Sequence, residues 1–160
     1  MSYYDDNGYF VGTYPAVIAP LLGGDGTLLG VLRIYTAGLR DRDRKKILKA
    51  ADTINGGVVR LHEPINELGI AEGIENALAA YEMFGVPTWA AIAAGNLKLF
   101  EPPSGISGLH IFGDNDASYT GQEAAYGLAK RLFAKHLLVE VHLPPEVGID
   151  WLDVLNPGQP

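Results

Sequence analysis

From residue 68 onward the chain alternates short apolar runs with segments of helical period, and this alternation constrains its fold more than any other feature. Leu68-Gly69-Ile70-Ala71, Thr88 to Ala93, Leu109 to Gly113 and Leu137 to Leu143 read as four strands. Between the first two, residues 73–84 place apolar side chains at 74, 77, 78, 81 and 84, a helical spacing that Gly85 ends and Pro87 keeps from resuming. Between the last two, Thr120-Gly121-Gln122-Glu123 fits a capping box that opens a helix running to about His136. Strand–helix alternation of this kind predicts an α/β fold with a mostly parallel four-stranded sheet covered by helices.

The first 67 residues are patterned differently. Residues 1–14 are polar, rich in Gly and Tyr, and read as a loose tail. Ala16-Val17-Ile18-Ala19 and Leu28 to Tyr35 read as strands joined at Gly23-Gly24-Asp25-Gly26, a hairpin signal. Residues 40–51 read as a charged helix ended by Asn55-Gly56-Gly57, and Val58 to Leu61 as another short strand. The chain therefore divides into a hairpin-plus-helix N-terminal subdomain, residues 1–67, and a parallel-sheet domain, residues 68–160.

In parallel sheets, ligands sit at the carboxyl ends of the strands. Glu72 follows the first of the four strands, and Asp114-Asn115-Asp116 follows the third. Residues two apart in extended chain share a face, so Asp114 and Asp116 can address one cavity. Gly73 and Gly113 flank these acids and leave room for a close approach. Carboxylates held together raise each other's pKa, and a bound cation removes that cost. Oxygen donors without Cys or His point to Mg²⁺ or Mn²⁺. Glu72 could also act as general acid or base, or simply cap the helix behind it. Asp150 and Asp153, spaced three apart, could complete the metal site or cap a final helix.

Charge sharpens this picture. Residues 1–68 carry eight Lys/Arg and eight Asp/Glu, whereas residues 69–160 carry four and eleven, which accounts for the whole net charge of −7. Such a surface does not grip a nucleic-acid backbone by charge alone. The one basic run, Arg40, Arg42, Arg44, Lys45 and Lys46 with Lys49, is interrupted by Asp41 and Asp43. It reads either as a solvated helix with pairs such as Asp41–Lys45, or as a contact for template phosphate or nucleotide triphosphate. The chain has no cysteine, which excludes disulfides and cysteine-based zinc sites. It has no apolar run of membrane-spanning length, and its acidic N-terminus lacks the pattern of a signal peptide, so a cytoplasmic location is expected. The four histidines lack ligand spacing, and those at 110 and 142 fall in strands as structural residues. Trp89 and Trp151 are expected in or near the core.

Ile70-Ala71-Glu72-Gly73-Ile74-Glu75-Asn76-Ala77-Leu78, Phe112-Gly113-Asp114-Asn115-Asp116, Gly121 with Ala124-Ala125, and Asp150-Trp151-Leu152-Asp153 together resemble a Toprim domain. Trp89 through Leu97, including Asn96, resembles the middle segment of the Toprim modules of phage and plasmid primases and primase-helicases. The resemblance covers about residues 68–156 and more weakly 15–67. It implies a Rossmann-like sheet, a Mg²⁺ (or Mn²⁺) cofactor, and nucleotidyl or phosphoryl transfer on nucleic acid. Single-stranded DNA and nucleotide triphosphates would be partners, together with a helicase or zinc-binding domain in a longer protein. Glu72 would be the catalytic acid/base or a ligand, Asp114, Asp116 and Asp150 ligands, and Asp153, Glu75, Gly73 and Asn96 further members. A Toprim nuclease, or a non-catalytic module docking to replication proteins, would use the same residues. Replicative primases usually carry Asp four residues after the glutamate; here that position is Asn76.

Overall fold

The computed structural model describes residues 1–40 and 43–158. The expected parallel sheet is present. Its strands are β6 (Glu67–Ala71), β7 (Thr88–Ala90), β8 (Gly108–Phe112) and β9 (Leu138–His142), in spatial order β7-β6-β8-β9 and all parallel. The helices are α1 (Ile74–Phe84), α2 (Ala94–Leu99), α3 (Thr120–Phe133) and α4 (Trp151–Leu155). Ahead of this sheet stand a hairpin, β1 (Ser2–Tyr4) with β2 (Phe10–Thr13), and an antiparallel sheet of β3 (Ala16–Leu22), β4 (Leu28–Tyr35) and β5 (Lys45–Lys49) in the order β3-β4-β5.

Strand alternation divides the core in two. Leu68, Ile70, Leu109 and Ile111 face α2 and α3, where they pack with Leu97, Phe100, Ala124, Ala125, Leu128 and Leu132. On the opposite face, Ala71 and Phe112 pack with Ala77 and Ala80 of α1 and Trp151 of α4. Burying each large apolar side chain contributes about 2 kcal/mol relative to leaving it in water. The second face is completed from the N-terminal region, because Ala19, Leu21, Leu32 and Val59 join the same cluster. Gly85 ends α1 in the left-handed conformation at φ 69°, which a glycine adopts without strain.

Several expectations fail for identifiable reasons. Of the expected helix over residues 40–51, the described residues 43–51 form no α-helix. From Lys45 the chain adds to the open edge of β4, with Ile34↔Lys45 and Gly30↔Lys49 as the ends of the register. The backbone groups of β4 offer partners that helix propensity does not foresee. The 1–14 segment is not loose. Tyr3 is buried, edge-on to Tyr14 and Tyr35, and the Tyr35 hydroxyl donates to the Ser2 carbonyl at 2.8 Å. Val58 and Val59 make only isolated bridges, to Leu22 and Ala90. The second parallel strand stops at Ala90, and α2 follows where no helix was expected. Thr120 does not cap α3. The N-cap is Tyr119 at φ 64°, and the opening N–H groups are taken by Asp116. Trp89 and Trp151 are buried as expected, and the Trp89 indole donates to the His62 carbonyl at 2.7 Å.

Candidate metal centre

β6 has β7 on one side and β8 on the other, so the chain reverses its direction of travel across the sheet between β6 and β8. Such a switch point opens a crevice beyond the carboxyl ends of the two strands. Glu72 leaves β6 there, and Asp114 leaves β8 two residues after Phe112. A cavity of about 390 Å³ lies at this point, lined by Lys45, Glu72, Gly73, Glu75, Asn76, Ile92, Asp114, Asp150 and Leu152.

The acids divide by environment. Burial raises the Glu72 pKa, and the charges of Asp114 and Asp116 add to the rise, against a hydrogen bond from the Ala94 backbone. Burial also raises the Asp114 pKa, Asp150 and Asp116 add to it, and a hydrogen bond from Asn76 opposes it. Asp116 goes the other way. Its Oδ1 accepts from the Ser118 hydroxyl at 2.6 Å and from the Thr120 N–H at 3.2 Å, and its Oδ2 accepts from the Gly121 N–H at 2.9 Å. These bonds lower its pKa. Asp116 is thus the fastening of α3, and it stands beside the cavity lining while still acting electrostatically on Glu72 and Asp114.

Asp150 reaches the cavity from the other side as N-cap of α4. It accepts from the Asp153 N–H at 2.9 Å, while Asp153 accepts from the Asp150 N–H at 3.1 Å, a reciprocal capping box. Asp153 is therefore occupied in capping, and Asp150 both caps and lines the cavity.

Three contributors escaped the sequence reading. Asn76, buried on α1, donates to Asp114 Oδ1 at 3.0 Å and accepts from the Leu152 N–H at 3.3 Å, joining Asp114 to α4. Its spacing of four from Glu72, one helical turn, was the available signal. Ile92 lines the cavity with φ 63°, an outlier for a β-branched residue, two residues before the Ala94 N–H that meets Glu72. Gly121 admits α3: a Cβ there would stand 2.7 Å from the Asp114 carbonyl oxygen. Gly121 stood in the resembling motif without a stated role, and nothing in the sequence marked Ile92.

The remaining candidates fall as follows. Glu75 lines the cavity with its carboxylate held by Lys45 Nζ at 2.8 and 2.9 Å. Gly73 is the N-cap of α1 at the cavity wall. Asn96 is buried in α2 and is not among the lining residues. Among the described residues of the basic run, Lys45 alone lines this cavity. Lys46 pairs with Asp6, Arg40 with Asp43 at 3.0 Å, and Arg44 donates to the Leu39 carbonyl. Arg42 and Asp41 lie outside the described residues. A larger cavity of about 690 Å³ lies by Tyr3, Asn7, Tyr14 and Arg40. Its acids are committed elsewhere: Asp5 to the Asn7 and Tyr9 N–H groups, Asp6 to Lys46 and Asp43 to Arg40.

Glu72, Asp114 and Asp150 fit a hard divalent cation. They supply oxygen donors only, and the first two resist ionisation because burial and the neighbouring carboxylates oppose their charge, a cost that a bound cation would relieve.

The profile of the Toprim domain matches residues 67–158, the stretch that holds all four strands of the parallel sheet and all four acids. No curated protein sequence matches the chain. Among solved structures, the fold is similar to a DnaG primase catalytic domain bound to ssDNA, at TM-score 0.63 and 14% identity over 99% of this chain and 54% of that one. It is similar to a DNA primase domain from Pseudomonas aeruginosa, at TM-score 0.59 and 15% identity over 98% and 52%. It is also similar to the primase fragment of the bacteriophage T7 primase-helicase, at TM-score 0.57 and 16% identity over 87% and 57%. The chain spans about half the length of these structures. With the profile covering more than half of its residues and the acids gathered at the switch point of the sheet, the chain belongs to the Toprim domain family.

Proposed function

We propose that this chain performs metal-dependent nucleotidyl or phosphoryl transfer on nucleic acid, as the catalytic core of a DNA primase of the phage or plasmid type. The observation that carries this reading is the pairing of Glu72 and Asp114, both half-buried and both with raised pKa, in one cavity at the switch point of the parallel sheet. The likeness of the whole chain to primase catalytic structures, one of them bound to ssDNA, supports it.

Glu72, Asp114 and Asp150 would hold Mg²⁺ or Mn²⁺, with Asp116 contributing charge from the rim. Bound there, the ion would offset the mutual repulsion of the acids, stabilise charge on phosphoryl oxygens and lower the pKa of an attacking hydroxyl. The chain's own residues do the rest. Burial above all raises the Glu72 pKa, the direction that suits a general acid/base. Asn76 fixes the rotamer of Asp114, and the α4 cap holds Asp150 to the cavity. Lys45, at the wall, exchanges Glu75 for an incoming triphosphate. Single-stranded DNA and nucleotide triphosphates are the expected substrates. The lysines and arginines around the site are engaged with acids or backbone, so a helicase or zinc-binding domain of a longer protein would supply much of the hold on template.

The test is primer synthesis on single-stranded DNA with nucleotide triphosphates and Mg²⁺ or Mn²⁺. The Glu72→Gln protein is expected to be inactive, and unchanged synthesis would sink the reading. Cleavage of labelled DNA without nucleotides would favour a Toprim nuclease. Metal binding with no turnover on any nucleic acid would favour a docking module for replication proteins.

A further inference from the structure

The histidines that lack ligand spacing in sequence meet in space. His110 on β8 pairs in register with Glu140 on β9, and His142 follows two residues later, so all three project from one face of the sheet. His110 Nδ1 is 3.1 Å from His142 Nε2. The same Glu140 oxygen, Oε2, is 3.7 Å from each of those two nitrogens. The point equidistant from the three atoms in their plane lies about 2.0 Å from each, the length of a Zn–N or Zn–O bond. A shared proton would account for the contact between the imidazoles. The Glu140 carboxylate at 3.7 Å would balance such a proton's charge, and it would equally serve as the third donor to a cation.

We propose that His110, His142 and Glu140 form a second metal site, distinct from the acids at the strand ends, which takes a transition-metal cation of the Zn²⁺ class. Two imidazoles and one carboxylate are the donor set that separates Zn²⁺ from Mg²⁺. The other ring nitrogen of His110 faces Glu67 Oε2 at 3.7 Å, where a ligating histidine commonly finds the carboxylate that orients it. The His142 ring is stacked on Phe112 and flanked by Phe84, so its position is set by packing. Burial above all, with the charge of His110, lowers its pKa and leaves it neutral to ligate. His110 precedes Asp114 by four residues of β8, about 13 Å of extended chain, so the two sites are separate. The bound ion clips the edge strand β9 to β8.

The test is a Zn²⁺ titration of the purified protein in saturating Mg²⁺, against a chromophoric chelator, with Co²⁺ absorption as a second readout. One Zn²⁺ site is expected, with a Co²⁺ d–d absorption that Zn²⁺ displaces, and it should survive in a Glu72→Gln/Asp114→Asn protein. His110→Gln and His142→Gln should weaken Zn²⁺ binding at least 100-fold, and Glu67→Gln about tenfold. Should His142→Gln not fold, Glu140→Gln, whose side chain is 69% exposed, serves in its place. Absence of the site, or its retention at full affinity in the histidine or Glu140 variants, overturns the proposal.

Discussion

The acids around the crevice form an inner and an outer pair, and the two pairs live under opposite conditions. Glu72 and Asp114 are half-buried, receive one hydrogen bond each, and have raised pKa values. Asp116 and Asp150 lie at helix N-termini, where backbone N–H groups reach both oxygens of Asp116 and the Asp153 N–H reaches Oδ1 of Asp150. Asp116 is held charged by its donors, while the inner pair is improved by protonation or by a cation. A carboxylate that caps a helix and one that waits for a ligand cannot be told apart by residue type. They differ in which donors surround them. Chemistry should therefore concentrate on the inner pair and architecture on Asp116, with Asp150 shared between cap and cavity.

The largest effect expected from that contrast is on activity. Glu72→Gln or Asp114→Asn should reduce transfer by about 10²–10⁴-fold, the scale of a lost acid/base, measured as primer synthesis per folded protein. The same substitutions should raise the melting temperature in metal-free buffer at neutral pH. The sign follows from linkage: with pKa values above those of the unfolded chain, Glu72 and Asp114 bind protons more readily when folded. Stability conferred by these groups is then full at low pH and declines as pH rises from the ordinary carboxylate range through their raised values. Added Mg²⁺ should reverse that decline in the parent protein and not in the variants. A flat stability profile across that window, read by thermal melts, would erase the contrast between the pairs.

Gly121→Ala comes next. Its Cβ would meet the Asp114 carbonyl oxygen at 2.7 Å, and the listening backbone must shift. A loss of about 1–3 kcal/mol is expected, together with weaker Mg²⁺ binding by calorimetry, since the displaced segment carries Asp114. Asp150→Ala should remove the cap of α4 at a cost of about 1 kcal/mol, whereas Asp150→Asn should keep most of that stability and lose metal affinity. Comparing the two separates the structural share of Asp150 from its share in the site. The smallest effect belongs to Glu75→Gln. Its ion pair with Lys45 is well exposed, so urea denaturation should change by less than about 1 kcal/mol.

The parallel sheet was legible because its strands and helices announce themselves locally. Leu68 to Ala71 is an uninterrupted apolar run, and Gly85 with Pro87 marks the end of α1 in the sequence itself. The acids were legible because they follow such strands directly. The N-terminal region was not, since its order is set at a distance. β5 exists because β4 has an open edge, and Tyr3 is held by Tyr14 and Tyr35. Thr120 fits a capping box by spacing, yet Asp116 reaches the same N–H groups first, which only the turn between them decides. Asn76 reads as a departure from a pattern until its two hydrogen bonds are seen. Ile92 carries no mark in sequence of its backbone conformation.

The shared core of the two sheets bears on portability. Residues 67–158 carry the family's pattern, but the face of their sheet under α1 is finished by Ala19, Leu21, Leu32 and Val59, all upstream of it. Cut at residue 67, the segment would present that alanine-rich face to water, and the strand that brings Lys45 to the crevice would go with the excised part. The family segment is therefore not expected to stand alone in this protein; the smallest piece expected to fold includes the antiparallel sheet that leans on it.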